Sequence, residues 1–255
     1  MTDQQSETRQ SALWRTLALV VALSWAQPAA TQDMPVALEL VLSADTSSSI
    51  RGPEFDLQIS GYANAFRDPA VIAAITDLGG NGVAVLFTQW SATFQHYDSV
   101  TWTVIGTAQD SHAFADAIER QARRFTGFAT ATGNALHHAA RQIDNNGFSG
   151  QRQVIDIVSD ERSNQGLQPR SVRDAIVARG MTINGLVVLD DDEDLIAYFE
   201  DQVIGGPGAF VMAVDDYGDF AEAIKRKLLR EISSQPLARR DGQARRDAAL
   251  ARATP

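Results

Sequence analysis

The chain contains no cysteine. Disulfides and thiolate metal sites are thereby excluded, and the core must hold together without covalent staples. At 255 residues it is long enough to bury most of its apolar surface unaided. It also lacks an excess of basic charge. Lys and Arg number 22 against 32 Asp and Glu, a net charge of −10. A nucleic-acid binder needs a basic footprint, so this balance argues against that class of partner. No apolar run reaches the roughly 20 residues that a bilayer-spanning helix requires. Phosphate-loop (GxxxxGK[ST]), nucleophile-elbow (GxSxG) and HExxH patterns are all missing.

The charge that is present is unevenly placed. Asp3, Glu7, Arg9 and Arg15 cancel within residues 1–30, and residues 233–255 hold five Arg and two Asp. The stretch between them is therefore more acidic than the chain as a whole, which suits solubility and cation binding. Arg15 precedes an uncharged run, Thr16 to Ala26, carrying Leu17, Leu19, Val20, Val21 and Leu23. Ser24-Trp25-Ala26 then sets small residues at the −3 and −1 positions of a cleavage site, with a second choice near Ala29 and Ala30. Residues 1–26 are thus expected to be a signal peptide, with 27–35 a linker and the mature protein periplasmic or secreted. The competing reading is a buried or anchoring helix.

From residue 37 strand and helix patterns alternate. Ala37–Ala44 is an apolar, β-rich run ending at Asp45. Pro53 opens a helix with Phe55, Ile59, Tyr62 and Phe66 on one face. A short helix follows Asp68-Pro69. Gly82–Trp90 is a buried strand, and Phe94–Ile105 its hairpin neighbour. Ser111 is expected to cap the next helix, and Thr132–Ile143 forms another. Gln153–Val158, Thr182–Leu189 and Ala209–Val214 read as strands. Helices over Ser171–Arg179 and Asp191–Val203 lie between them. Asp219 is expected to cap a last helix, with Phe220, Ile224, Leu228 and Ile232 four apart. The expected architecture is α/β: a doubly wound, mostly parallel central sheet with helices on both faces, spanning 36–233. Residues 234–255 read as an Arg-rich tail without apolar periodicity, disordered or weakly helical.

In such a sheet the loops at the carboxyl ends of the strands share one edge. Asp45-Thr46-Ser47-Ser48-Ser49 lies on one of these loops. Asp45, Ser47 and Ser49, at i, i+2 and i+4, offer only oxygen ligands, which suits a hard cation such as Mg²⁺. Ser-rich loops also cap helices, so the motif alone is weak. Thr130, in the loop before the Thr132 helix, and Asp160, at the end of a buried strand, would share the same edge.

This D-x-S-x-S motif, Thr loop and strand-end Asp together resemble the metal-ion-dependent adhesion site of von Willebrand factor A domains. The chain from Ala37 to Ile232 also resembles a narrower group, exported bacterial proteins of that fold classed as a domain of unknown function. Glu54, Gln58, Gly61-Tyr62-Ala63, Gln89-Trp90-Ser91, Thr130-Ala131-Thr132-Gly133-Asn134-Ala135-Leu136 and Gly205-Gly206-Pro207-Gly208 are among the residues that carry this likeness. The resemblance implies that Ser47, Ser49 and Thr130 supply hydroxyl oxygens, with Asp45 and Asp160 acting directly or through water. It further implies Mg²⁺ (or Mn²⁺, Ca²⁺) and a vacant coordination position for an acidic side chain of a protein partner. Thr132 rivals Thr130. The family's usual Ser-Gly-Asp-Gly is here Val158-Ser159-Asp160-Glu161. Glu161 is then either an extra ligand or an obstacle to an acidic partner.

Other features carry less. Asp156 lies mid-strand and calls for a structural partner. The acidic run Asp190–Asp194 reads as a solvated helix start rather than a Ca²⁺ loop. His137 and His138 lack the companions of a zinc site. Gly205–Gly208 is a turn.

The expected function is an exported, metal-dependent protein-binding module of adhesion type, without catalysis. Two alternatives stand beside it. One is a phosphatase-like hydrolase with Asp45 as nucleophile, although Ser47 stands where such sites carry a second Asp. The other is a scaffold that has lost its metal. Export predicts a mature chain starting near Gln27, read by intact mass of protein recovered from periplasm or medium. Full-length protein confined to the cytosol would contradict it.

Overall fold

The computed structural model describes residues 33–234 apart from Gly80, Phe128, Asp190 and Asp191. The expected signal peptide, residues 27–32 of the linker and residues 235–255 of the tail lie outside this range. In chain order the elements are β1 (Met34–Val36), β2 (Leu38–Asp45), α1 (Gly52–Arg67), α2 (Pro69–Thr76), β3 (Val83–Trp90) and β4 (His96–Ile105). There follow α3 (Ala108–Glu119), α4 (Thr132–Asp144), β5 (Phe148–Gly150), β6 (Gln153–Ser159) and α5 (Pro169–Val177). The chain continues with β7 (Thr182–Val188), α6 (Leu195–Tyr198), β8 (Val211–Val214) and α7 (Phe220–Ser233).

Six strands form one sheet in the order β4-β3-β2-β6-β7-β8. Every neighbour pair is parallel except the β3–β4 hairpin. All eight residues of β2 and all eight of β3 are buried, as expected of parallel strands covered on both faces. Alternate residues serve opposite cores. Leu40 and Leu42 join Phe55, Tyr62, Phe114 and Phe220 under α1, α3 and α7. Val41 joins Ile155, Ile157, Leu136 and Phe199 under α4 and the segment after α6. The fold is the doubly wound α/β sandwich that the alternating pattern implies.

Three local readings need correction, and one feature went unread. Ser111 does not cap α3; Thr107 does, its hydroxyl accepting from Asp110 N (3.2 Å) while Asp110 accepts from Thr107 N (3.0 Å). Ser111 sits one turn further in, and its hydroxyl donates to Phe66 O (2.6 Å). The helix expected over Asp191–Val203 is only α6 and a π-turn at Phe199–Val203. Asp219 is the N-cap residue of α7 but its side chain makes no cap bond; Asp216 instead accepts from Gly218 N (2.6 Å). Finally, β1 and β5 form a two-stranded parallel ribbon that no three-residue pattern could announce. Buried Glu39 organises it by accepting from Gly150 N (2.6 Å) and Gln153 Nε2 (3.1 Å).

Asp156 has its structural partner. Lys227 of α7, fully buried, places Nζ 2.5 Å from Asp156 Oδ1 and 2.7 Å from Glu231 Oε1. Asn184 Nδ2 adds a bond to the same Glu231 oxygen (2.8 Å). One cation thus serves two buried carboxylates, and burial, reinforced by Glu231, pushes the Asp156 carboxyl up from its ordinary range. Removing the cation leaves buried charge uncompensated. Lys227→Met should therefore cost about 3–5 kcal/mol in urea unfolding. Chelator, by contrast, should leave the far-UV circular dichroism of the wild type unchanged, because apolar strands and helices supply both cores.

Candidate functional site

The topology converges three loops on the carboxyl edge. β2 and β6 are parallel neighbours, so Asp45 and Ser159-Asp160 emerge side by side. β4 runs the other way, which returns α3 towards that edge and brings residues 120–127 and 129–131 over it.

Asp45 is 0% exposed. Its Oδ1 accepts from Ser47 N (2.7 Å) and its Oδ2 from Ser159 Oγ (2.5 Å). Ser47 Oγ lies 3.1 Å from Ser49 Oγ, which donates to Asp160 Oδ1 (2.8 Å). Asp45, Ser47, Ser49 and Asp160 thus form one hydrogen-bonded set of oxygens. Thr130 joins from the third loop: its Oγ1 donates to Glu161 Oε2 (2.9 Å). Asn164 clasps the Thr130 backbone from both sides, accepting from Thr130 N and donating its own N–H to Thr130 O, each at 2.9 Å. The rival Thr132 is buried in the first turn of α4, and its hydroxyl has no hydrogen-bond partner among the described residues.

Burial dominates the electrostatics. It pushes the Asp45 carboxyl up to about 7, with the Asp160 charge adding to the shift. Burial likewise pushes Asp160 up to about 6, against the bond from Ser49. Two carboxylates held this far from water are centres that a divalent cation would stabilise. The donor set fits such an ion: hydroxyls and carboxylates are the hard oxygens that Mg²⁺, Mn²⁺ and Ca²⁺ accept. Among the described residues no three His, Cys, Asp or Glu cluster as metal ligands, so an ion here would depend on the hydroxyls.

Arg123 and Tyr217 escaped the sequence reading, as did the roles of Ser159, Gln58 and Gly133. The Arg123 guanidinium donates to the carbonyls of Thr46 (2.8 Å) and Ser47 and, through Nε, to Phe125 O (2.7 Å). It fastens the D-x-S-x-S loop to the loop carrying Thr130. Its only visible signal was an Arg123-Arg124 pair in an acidic body. Ser159 links Asp45 to the β6 loop, and Gln58 Nε2 donates to Asp45 O (3.2 Å). Tyr217 feels both site carboxylates, and its buried hydroxyl has no hydrogen-bond partner among the described residues. Gly133 is required by packing, since a Cβ there would lie 2.1 Å from Leu167 O.

The other candidates stand apart. His138 bonds Asp98 (2.8 Å) and stacks on His96 at 5.0 Å, a contact between α4 and β4. Burial and the neighbouring His138 hold His96 down at about 4. Asp192 of the acidic run is paired with Arg162 (2.6 Å).

Residues 35–236 match the profile of a family described as Protein of unknown function (DUF1194). The chain belongs to this family. No curated protein matches the sequence. Among solved structures it is similar to proximal thread matrix protein 1 from the mussel byssus, at 14% identity and a TM-score of 0.57. That match covers 79% of this chain and 49% of the mussel protein. A second structure of that protein is described with a zinc-occupied MIDAS motif. The pilus adhesin SpaC from Lactobacillus rhamnosus GG matches at 18% identity and a TM-score of 0.54, over 78% of this chain and 30% of SpaC. A von Willebrand factor type A protein from Catenulispora acidiphila matches at 14% identity and a TM-score of 0.54, over 79% and 44%. These likenesses establish the fold, which is that of von Willebrand factor A domains. The chain spans half or less of the length of each of these three structures.

The raised carboxyls give this DUF1194 member a pH signature. With folded values of about 7 and about 6, Asp45 and Asp160 hold protons that the unfolded chain releases near 4. Stability from these groups is therefore present in acid and lost as pH rises through that window. In chelator, Asp45→Asn should melt higher relative to wild type at pH 8 than at pH 5. A melting-temperature difference that stays constant across the range would contradict this origin.

Proposed function

We propose that the protein is an exported, metal-dependent protein-binding module of adhesion type, without catalysis of its own. The reading places one domain over 36–233, between a signal peptide ending at Ala26 and an Arg-rich tail from residue 234. The observation that carries it is the single set of hydrogen-bonded oxygens at the carboxyl edge: Asp45, Ser47, Ser49 and Asp160, with Thr130 joined through Glu161. Ser47, Ser49 and Thr130 would hold Mg²⁺ or Mn²⁺ through hydroxyls, with Asp45 and Asp160 in support; Ca²⁺ is the further choice. Such an ion is an electrophile on an acidic protein, and it would draw an acidic side chain from a protein partner as a ligand. The likeness to a protein named as an adhesin, and to one described with a zinc-occupied MIDAS motif, supports the same reading.

The burial of Asp45 supports binding over nucleophilic attack. Both its oxygens accept hydrogen bonds, and nothing of the residue is exposed to meet an electrophile. Ser47 and Ser49 bond each other, Ser49 also donates to Asp160, and among the described residues no histidine is hydrogen-bonded to either hydroxyl.

Calorimetric titration with Mg²⁺ and Mn²⁺ tests the reading. Wild type should bind one ion. Asp45→Ala should abolish binding and leave the protein folded, while Ser47→Ala and Ser49→Ala should each weaken it. Unchanged affinity in Asp45→Ala would take the site away from Asp45 and direct attention to the acidic run from Asp190.

A further inference from the structure

Glu161 stands where the expected motif has a glycine, and its side chain faces the site. Its Oε2 accepts from Thr130 Oγ1 at 2.9 Å. Its backbone is tethered to the same hydroxyl that serves Asp45: Glu161 N donates to Ser159 Oγ (3.3 Å), which donates to Asp45 Oδ2 (2.5 Å). The next residue is anchored too, since Arg162 Nε pairs with Asp192 (2.6 Å) and its guanidinium lies over the Tyr198 ring. The chain on either side of Glu161 is thus held, and its half-buried carboxylate points to a proposed metal donor.

We infer that Glu161 is an in-chain ligand of the same ion and holds the coordination position that a partner's carboxylate would take. This rests on the metal-binding reading given above. Thr130 Oγ1 bonds the Glu161 carboxylate directly, and Asp160 feels its charge, so an ion taken up by the Thr130 hydroxyl would meet Glu161 as well. The three carboxylates outweigh the two charges of the cation, so the closed site is anionic and repels an acidic partner. With Glu161 withdrawn, two carboxylates balance the cation and one position opens. Partner capture therefore requires the Glu161 side chain to leave, and the free protein keeps its ion without exposing it.

A purely structural role, in which Glu161 only satisfies the Thr130 hydroxyl, is separated by Glu161→Gln. The Gln carbonyl still accepts that bond but offers no charge. Titration of wild type, Glu161→Gln and Glu161→Ala with Mn²⁺, read by water-proton relaxation, is the experiment. Both variants should bind Mn²⁺ about tenfold more weakly and show higher relaxivity per bound ion, from about one added water. Acetate, as a free carboxylate probe, should tighten Mn²⁺ binding to the variants and leave wild type unaffected. Glu161→Gln matching wild type in affinity, relaxivity and acetate response would overturn the inference while leaving the metal site standing. Wild type that takes up no Mn²⁺, like Asp45→Ala, would overturn both.

Discussion

The parallel pairing of β2 with β6 is the constraint from which the site follows. It fixes the end of β2 beside the end of β6, so that Asp45 and Asp160 approach each other as soon as the sheet forms. No flexible loop has to bring them together. Buried strands on both sides then deny the carboxylates water, which raises both and makes them depend on hydroxyl and amide donors. Ser47, Ser49 and Ser159 supply those donors from the two loops that the pairing has already aligned.

Polar groups in the rest of the interior follow the same economy. Glu39 sits at the opposite end of β2, where it gathers Gly150 N and Gln153 Nε2 and closes the β1–β5 ribbon. Asp156, mid-strand in β6, faces Lys227 and Glu231 of α7. Each is compensated by neighbours present in the fold itself. Asp45 and Asp160 differ, since their donors are mostly hydroxyls, which can turn their lone pairs to a cation when one arrives.

The sheet was legible because its strands are apolar runs separated by amphipathic helices, a pattern that only a covered parallel sheet accommodates. The site motif was legible because Asp45, Ser47 and Ser49 are adjacent in sequence. What escaped depends on tertiary contact. Arg123 reaches Thr46 and Ser47 across more than seventy residues, and no local pattern marks an arginine whose acceptors are backbone carbonyls. Thr107 and Ser111 are equally good caps by composition, and the Asp110 that completes a reciprocal pair with Thr107 decides between them. The three-residue strands β1 and β5 are too short to show a period at all.

The described chain both begins and ends at the amino edge of the sheet. Asp33 precedes β1, and the close of α7 is held there by Arg152, which donates to the carbonyls of Glu231 and Ile232 at 2.7 and 3.1 Å. The oxygen cluster lies at the far pole. A pull exerted at that cluster against the N-terminal end would travel along the covalent backbone of β2, from Leu38 straight to Asp45. That strand would bear the load in its own covalent bonds, and its hydrogen bonds to the flanking β3 and β6 would not have to part.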